Sequence, residues 1–323
     1  MPITNFPHGA SSFGLPVVGA GGILTTGNVF FVHYTNGSNG NEGTDPTQPF
    51  KTLTYAYDKC TASQGDTIIL MEGHAETITT AIDFDTAGVQ IIGFGNGNNR
   101  PTITVDAAIK GLWIHAANIS FYNIKLVTGS SSTIATKLFA VTGAVGLAKF
   151  VNCHFQVATG TKMYHLGYIL GGKGVPVKFD GCVFENVSAT TTTVFAASAT
   201  VQHTCLLIRT GDVEITNCRF IDMGATKKGK WAECIKAGSI GTGGSLCSVM
   251  IKECVFTCRG VAVKGRAAAV SPRLSIIKSW GISTSSNTAV ANIFQVTYAN
   301  VIDSFAIGAV NVRAKMVPAA TEA

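Results

Sequence analysis

Charged residues are scarce in this chain of 323 residues, because 24 Lys and Arg and 18 Asp and Glu make up only 13% of it. That share is about half the value of an average soluble domain, and it excludes intrinsic disorder. Pro is rare (9 residues), and Gly, although abundant (36 residues), has no three-residue period, which excludes a collagen-like helix. No run of about 18 apolar residues is uninterrupted, so we expect no membrane-spanning helix. The many Gly, Thr, Val and Ile residues favour a β-rich soluble protein.

The first 28 residues contain neither Lys nor Arg. A secretory signal needs a basic n-region and a compact apolar h-region, so we expect no export signal here. The segment 1–28 is rich in Gly, Pro and Val and includes Phe6, Phe13 and Ile23. It is either a flexible tail or an extended arm that lies along a partner or a neighbouring subunit, and the aromatic residues favour the arm.

Cysteine pairs at metal-ligand spacing are also missing. The chain has nine Cys residues, an odd number, without a CxxC motif, and the closest pair is Cys254 and Cys258. That pair is a weak zinc or redox signal, since no His lies beside it at ligand spacing. We therefore predict buried, reduced thiols in a protein assembled in a reducing compartment, with no metal or cofactor site. The other cysteines are Cys60, Cys153, Cys182, Cys205, Cys218, Cys234 and Cys247.

One six-residue phrase recurs along the chain. Its clearest copies are residues 150–155, 179–184, 215–220 and 251–256. Weaker copies are residues 89–94, 121–126, 277–282 and 302–307. The fourth positions fall at 92, 124, 153, 182, 218, 254, 280 and 305, so the copies are 25–36 residues apart. Repeats of this length are typical of a solenoid, in which each turn packs on its neighbours.

The apolar columns of the phrase indicate which solenoid this is. Positions one, four and six are apolar in all eight copies. Positions four and six follow the two-residue period of a strand, but the step from one to four breaks it, so the chain must bend. Asn123, Asn152, Gly181 and Asn217 occupy the third position, where a left-handed backbone is expected. This pattern predicts a parallel β-helix of about eight to ten coils, with the Phe and Cys columns stacked inside.

A short amphipathic helix is predicted just before the first coil. Residues 50–60 place Phe50, Leu53, Ala56, Tyr57 and Cys60 on one helical face. A helix at this point covers the open edge of the first coil, a strand at 67–71. The predicted organisation is an N-terminal arm (1–28), an opening strand and capping helix (29–65), a parallel β-helix (66–310) and a C-terminal tail (311–323).

Residues 30–53, followed by residues 65–70, resemble the opening segment of pectin-lyase-like right-handed parallel β-helix proteins. The shared features are a strand, a Gly- and Asn-rich turn, a Pro-Phe-x-Thr-Leu helix start and a Gly-Asp-x-Ile strand. The resemblance implies an all-β fold, a single-stranded right-handed parallel β-helix with a short N-terminal capping helix. It implies little about activity, because this fold hosts lyases, hydrolases and inert virion parts.

The opening residues 1–7, with 13–17 and 27–31, are similar to small β-helix virion proteins of tailed bacteriophages and their prophages. This resemblance implies a virion protein, assembled in the host cytoplasm, that forms a homotrimer. It also implies contacts with other virion proteins of the capsid or tail.

Polysaccharide cleavage by hydrolysis needs two carboxylates at a defined separation. Trp113-Ile114-His115 is similar to a lyase phrase, but the Asp expected between Ile and His is missing, so His115 is interpreted as a surface residue. Tyr164, His165 and Tyr168 form either a sugar-stacking patch or the cover of a coil edge. We predict that the available carboxylates are solvated surface residues and name no catalytic residue. The carboxylates considered are Asp83 with Asp85, Asp212 with Glu214 beside Arg209, and Asp180 with Glu185.

The net charge of +6 is unevenly distributed. Residues 1–226 contain 12 Lys and Arg against 14 Asp and Glu, whereas residues 227–323 contain 12 against 4. In a solenoid this difference becomes an axial dipole with a basic C-terminal end, which we expect to face an acidic surface. The basic residues are spread out and not interleaved with aromatic residues, so nucleic-acid binding is not expected.

Three functions remain open. The first is a non-enzymatic structural virion protein of a tailed bacteriophage (a capsid decoration, head fibre or short spike). It would be held by its N-terminal arm or basic C-terminal end and would also contact host-surface glycans. The alternative is a polysaccharide-degrading lyase or hydrolase of the tailspike type. The second alternative is a carbohydrate-binding adhesin.

Overall fold

The structure is a computed structural model that describes the chain in separate segments. These segments are residues 10–12, 15–17, 26–106, 110–129, 134–143, 146–158, 162–171, 176–187, 204–222, 233–238, 247–258, 261–265, 273–283, 294–295, 299–302, 304–307 and 313–314. The two longest repeats, of 36 residues, predict excursions from the coils at 190–193 and 227–231. Both segments lie outside the described residues, as do the basic residues Arg266 and Lys315.

The strands follow one another in coils of three. Before the first coil come β1 (Ala10–Ser12), β2 (Leu15–Val17), β3 (Val29–Val32) and the helix α1 (Leu53–Tyr57). The first four coils are β4 (Thr67–Leu70), β5 (Ala75–Ile78), β6 (Ile82–Phe84); β7 (Gln90–Gly93), β8 (Thr102–Val105), β9 (Lys110–Ile114); β10 (Ile119–Tyr122), β11 (Lys125–Thr128), β12 (Ile134–Thr142); β13 (Ala148–Val151), β14 (His154–Val157) and β15 (Lys162–Leu170). A 3-10 turn (Gly97–Asn99) lies between β7 and β8.

The remaining coils continue the same order, except that one long strand takes part in two of them. They are β16 (Val177–Asp180), β17 (Val183–Asn186), β18 (Thr204–Thr216), β19 (Arg219–Asp222), β20 (Glu233–Ala237); β21 (Cys247–Lys252), β22 (Val255–Cys258), β23 (Val261–Gly265); β24 (Arg273–Ile277), β25 (Trp280–Ser283), β26 (Phe294–Gln295); and β27 (Ala299–Ile302), β28 (Phe305–Ile307) and β29 (Arg313–Ala314).

Like strands of successive coils pair in parallel and form three faces of the solenoid. Face 1 begins with β3 and β4 and continues through β7 and β10 to β27. Face 2 continues from β5 and β8 to β28, and face 3 from β6 and β9 to β26. The first half of β18 pairs with β15 on face 3 and its second half pairs with β16 on face 1. The predicted parallel β-helix is confirmed, with eight complete coils in the part of the chain that the structure describes.

The interior is filled by stacked Phe rings, as the repeated phrase predicted. On face 1 the rings of Phe121, Phe150 and Phe179 stack with centroids 5.0 Å apart at each step. On face 2 four rings stack at 4.7–4.9 Å, namely Phe155, Phe184, Phe220 and Phe256. These Phe side chains are fully buried, and each such burial contributes about 1.5–3 kcal/mol. The stacking therefore fixes which coil positions lie above one another.

The bend between faces 1 and 2 lies at the third position of the phrase. Asn123, Asn152, Gly181 and Asn217 have φ of 54°, 52°, 62° and 55°, which confirms the predicted left-handed backbone. Glu253 and Lys278 occupy the same position in later coils and also have positive φ. Two further left-handed corners were missed there, because Glu and Lys are not residue types that favour this conformation.

The weak N-terminal copy of the phrase was placed in the wrong register. Ile91, not Val89, pairs with Phe121. Phe94 was expected in an internal column but is 46% exposed. Ile91 and Ile92 point to opposite sides of β7, so the hydrophobic pattern alone does not distinguish the two registers.

The two C-terminal copies were displaced by one residue. Ile276 pairs with Ile251, so the fourth position of that coil is Ser279, which is fully buried. Trp280, predicted at that position, points outward and is 52% exposed. In the next coil the fourth position is Ser304 for the same reason, because Val301 pairs with Ile276. Trp280 follows Ser279 and Phe305 follows Ser304, so the displaced register placed an apolar residue at the fourth position and matched the phrase better than the true register.

The capping helix forms, but it is shorter than predicted. The helix α1 begins after its N-cap Thr52, whose side chain accepts a hydrogen bond from the Tyr55 N–H, and it ends at Asp58. Its buried residues are Leu53, Ala56 and Tyr57. Glu76 of β5 accepts a hydrogen bond from the first helical N–H, that of Leu53, at 2.9 Å. No helix of the described segments is long and apolar enough to cross a membrane.

Candidate functional site

The cysteines form an internal column with a structural role. Cys153, Cys182, Cys218 and Cys254 occupy the fourth position of successive coils and are fully buried. Each thiol donates to the carbonyl two residues earlier, and burial raises the pKa of Cys153, Cys182 and Cys218. The eight cysteines whose side chains are described are thiols and form no disulfide bond with one another. The described side chains contain no group of three or more residues suited to hold a metal ion, and the side chain of Cys258 is not among them.

Asp180 and Glu185, considered together from the sequence, lie on different faces. Asp180 ends β16 on face 1, where it accepts hydrogen bonds from Thr216 (3.1 Å) and Asn217 (3.0 Å) of the next coil. Glu185 lies beyond the corner, on the outer side of β17 on face 2. The corner at Gly181 turns the two carboxylates away from each other.

Asp212 and Glu214 do lie on the same outer side of β18. The Glu214 carboxylate forms an ion pair with Lys178 of the preceding coil, with Nζ and Oε2 2.7 Å apart. Arg209, expected beside this pair, donates from Nη1 to the hydroxyl of Tyr168 on face 3 at 3.4 Å. The first half of β18 belongs to face 3, and this explains why Arg209 is directed there.

A polar cluster on the outer side of face 2 was not found from the sequence. Glu185 lies 2.9 Å from Nε2 of His154 and accepts a hydrogen bond from Gln156 at 2.8 Å, both on the preceding coil. Burial lowers the pKa of His154, the charges of Lys125 and Arg100 lower it further, and Glu185 acts in the opposite direction. The signal was present, because aligning Phe155 with Phe184 places Gln156 beside Glu185.

A second cluster lies on the outer side of face 3, around the Trp113–His115 phrase. Nε2 of His115 is 3.0 Å from Oδ1 of Asp83 on the preceding coil. The ring centroids of His115 and Trp113 are 4.0 Å apart. The indole N–H of Trp113 donates to the hydroxyl of Thr142 on the following coil at 2.8 Å. His115 is a surface residue, as predicted, with 32% of its side chain exposed.

Asp83 in β6 and Asp85 just after it point to the same outer side. Phe84 points into the core and is fully buried, while Asp83 and Asp85 on either side of it are exposed. Asp83 faces His115, whereas Asp85 accepts a hydrogen bond from the neighbouring hydroxyl of Thr86 at 3.4 Å. The two carboxylates therefore contact different groups.

Tyr168 belongs to the same outward column of face 3 as Trp113. The column runs from Asp83 through Trp113 and Ala140 to Tyr168, one residue per coil. The ammonium of Lys137 lies 3.9 Å from the centre of the Tyr168 ring. His165 is buried, so its ring does not belong to a surface patch with Tyr168. The side chain of Tyr164 lies outside the described residues.

Strand pairing places this chain in a defined class, the parallel β-helix proteins with three faces. No protein-family model matches the chain, and no curated protein matches it. One solved structure similar to it is a rhamnogalacturonan lyase, with a TM-score of 0.48 and 14% sequence identity. The similarity covers 81% of this chain and 75% of the lyase chain. It bears on neither the activity nor the ligand of the present chain.

Proposed function

We propose that this chain is a non-enzymatic structural protein of a tailed bacteriophage virion, such as a capsid decoration, a head fibre or a short spike. The observation that best supports this role is that outward carboxylates connect neighbouring coils. Glu214 pairs with Lys178 of the coil before it, and Asp180 accepts hydrogen bonds from Thr216 and Asn217 of the coil after it. Such contacts stabilise the stacking of coils and hold each carboxylate beside its partner.

The solenoid is well suited to act as a rigid spacer. At about 4.8 Å per strand, the ten strands of face 1 span roughly 45 Å along the axis. One cluster of buried apolar side chains extends from Phe30 to Ile276 in the described core. Protomers of this shape associate as a homotrimer, and the N-terminal arm or the basic C-terminal end attaches them to other virion proteins. The outer faces are then available to host-surface glycans.

The proposal is tested by electron cryomicroscopy of the assembled particle together with the native mass of the purified protein. We expect ordered trimers seated on the capsid or tail. Particles that contain no density for the solenoid, together with a monomeric mass in solution, would contradict the proposal.

A polysaccharide-degrading enzyme is the second candidate, and the cluster on face 2 is the observation in its favour. The lowered pKa keeps His154 neutral at neutral pH, with Glu185 at 2.9 Å and Lys125 on the adjacent strand. A neutral imidazole beside a cation is suited to remove a proton from an acidic sugar.

The two candidates differ in whether polysaccharide is cleaved. Host capsule or O-antigen is incubated with the protein, and reducing ends and 4,5-unsaturated products are measured. Cleavage that is lost in His154→Ala and retained in the face 1 control Lys178→Gln would establish the enzyme. The absence of products with the intact protein supports the structural role.

A further inference from the structure

The outer side of face 3 presents two aromatic rings in one column. Trp113 and Tyr168 are both half-buried and point outward, and Ala140 lies between them on the intervening coil. With about 4.8 Å between neighbouring strands, the two rings are roughly 10 Å apart along the axis. The small Ala140 side chain between them is fully buried.

We propose that this column is a glycan-binding site, in which Trp113 and Tyr168 each stack on a sugar ring of one oligosaccharide chain. The inference rests on the host-glycan contact in the proposed function and assigns that contact to specific residues. The C–H groups of a pyranose face pack on an aromatic ring, and two rings in one line fit a linear oligosaccharide better than a compact ligand.

Both rings are held in place before any ligand arrives. The indole of Trp113 is fixed by its hydrogen bond to Thr142 and by the ring of His115. Tyr168 is fixed by the hydrogen bond from Arg209 and by the ammonium of Lys137. Aromatic side chains that are already ordered lose little conformational entropy on binding, so their contact area contributes more fully to affinity.

Polar groups suited to sugar hydroxyls lie beside the Trp113 ring. Asp83 is 53% exposed, and its carboxylate can accept hydrogen bonds from two hydroxyls of one sugar. The imidazole of His115 lies between that carboxylate and the indole. An aromatic surface bordered by a carboxylate and an imidazole is a sugar-recognition arrangement, whereas the core of a protein interface is depleted of charged residues.

The test measures glycan binding by intact protein and three variants. An array of defined bacterial O-antigen and capsule oligosaccharides identifies a bound sugar, and calorimetry then measures its affinity. We expect Trp113→Ala and Tyr168→Ala each to weaken binding about tenfold or more. The matched control is Tyr122→Ala, which removes another half-buried outward ring, on face 1 near Lys149.

The folding of each variant is checked by its thermal unfolding and native mass. If Trp113→Ala is unstable, Trp113→Phe is used as well. It retains an aromatic ring and should recover most of the affinity. The proposal is wrong if no oligosaccharide binds, if binding survives both face 3 variants, or if Tyr122→Ala weakens it equally.

Particle assembly separates this inference from the proposed function. Trp113→Ala protein that is incorporated into particles but does not bind glycan supports both. Glycan binding by a protein absent from every particle supports the site and overturns the virion role.

Discussion

At the scale of single residues, the fourth position of the repeat shows how a side chain provides a hydrogen-bond donor for a backbone carbonyl beside the bend. The chain turns just before it, at the third position. A Cys or Ser side chain at the fourth position donates to the carbonyl two residues earlier in five successive coils, namely at Cys153, Cys182, Cys218, Cys254 and Ser279. The distance is 3.1 Å from the thiol of Cys218 to the Thr216 oxygen and 3.0 Å from the hydroxyl of Ser279 to the Ile277 oxygen. Cys and Ser thus perform the same task, which explains why one column contains both residue types.

The first prediction compares two substitutions of similar size at this position. Cys218→Ser should retain the hydrogen bond to the Thr216 carbonyl, and Cys218→Ala should lose it. We expect the Ser variant to be more stable than the Ala variant by about 0.5–1.5 kcal/mol, the net value of a buried hydrogen bond. Urea unfolding of both variants measures the difference, and an Ala variant that is the more stable would refute the hydrogen-bonding role.

At the scale of the element, the first coil is organised by buried carboxylates that accept backbone N–H groups. Asp66 is fully buried and accepts hydrogen bonds from the N–H of Asn28 (2.6 Å) and of Thr61 (2.7 Å). It therefore joins the residue before β3 to the segment after α1. This is the physical meaning of the Gly-Asp-x-Ile phrase, whose Asp connects the opening strand and capping helix to the first coil.

The second prediction concerns this connection. Asp66→Asn places an amide N–H₂ against one of the two backbone donors, so we expect a loss of about 2–3 kcal/mol in the free energy of unfolding. Asp85→Asn is the matched control, because Asp85 is exposed and its hydrogen bond is long, 3.4 Å. That variant should change stability by less than about 0.5 kcal/mol.

Hydrogen exchange of the amides in β3 and α1 shows where the loss occurs. Faster exchange confined to these elements would confirm that Asp66 fastens the cap. Equal effects of Asp66→Asn and Asp85→Asn would contradict it.

The elements also show where sequence reasoning succeeds and fails. The strands around the clear copies of the phrase were correctly placed, because large Phe side chains in those coils can pack only inside. The copies at 277–282 and 302–307 were misplaced by one residue, since an apolar residue, Trp280 or Phe305, follows the Ser at the true fourth position. Register there is decided by pairing with the preceding coil, which local sequence does not contain.

At the scale of the whole molecule, the order of coils converts sequence position into axial position. The net charge of −2 in residues 1–226 and +8 in residues 227–323 therefore becomes a difference between the two ends of the rod. The last strand of face 2, β28, pairs antiparallel with β29, which includes Arg313. Arg273 begins β24, which lies one coil before β27, the last strand of face 1.

The third prediction follows from the basic end. Replacing Arg266, Arg273, Arg313 and Lys315 with Glu should abolish attachment to the particle, because the end would then repel an acidic surface. Reversal of Lys51, Lys59, Arg100 and Lys149, which belong to the N-terminal half, is the matched control and should leave attachment intact. Co-sedimentation of each variant with particles that lack the protein measures the effect at low and high salt. Unchanged sedimentation of the first variant would contradict attachment through the basic end.

The polar clusters on the outer faces could not be predicted from the sequence alone. The candidate pairs were chosen by their spacing along the chain, yet their actual partners lie one coil away. Glu185 contacts His154 and Gln156, and Asp83 contacts His115. Each contact joins residues about 30 positions apart, a distance set by excursions of varying length.

The sequence by itself determined the solenoid, its repeat, its internal Phe and Cys columns and the cap, because burial of apolar residues at a regular spacing has few structural solutions. Only the tertiary structure decided which side chains meet outside. Outward residues are free of the packing constraint, so their neighbours follow from the register between coils. That register is fixed by the stacking of the core, and it brings Trp113, Ala140 and Tyr168 into one column and separates Asp180 from Glu185.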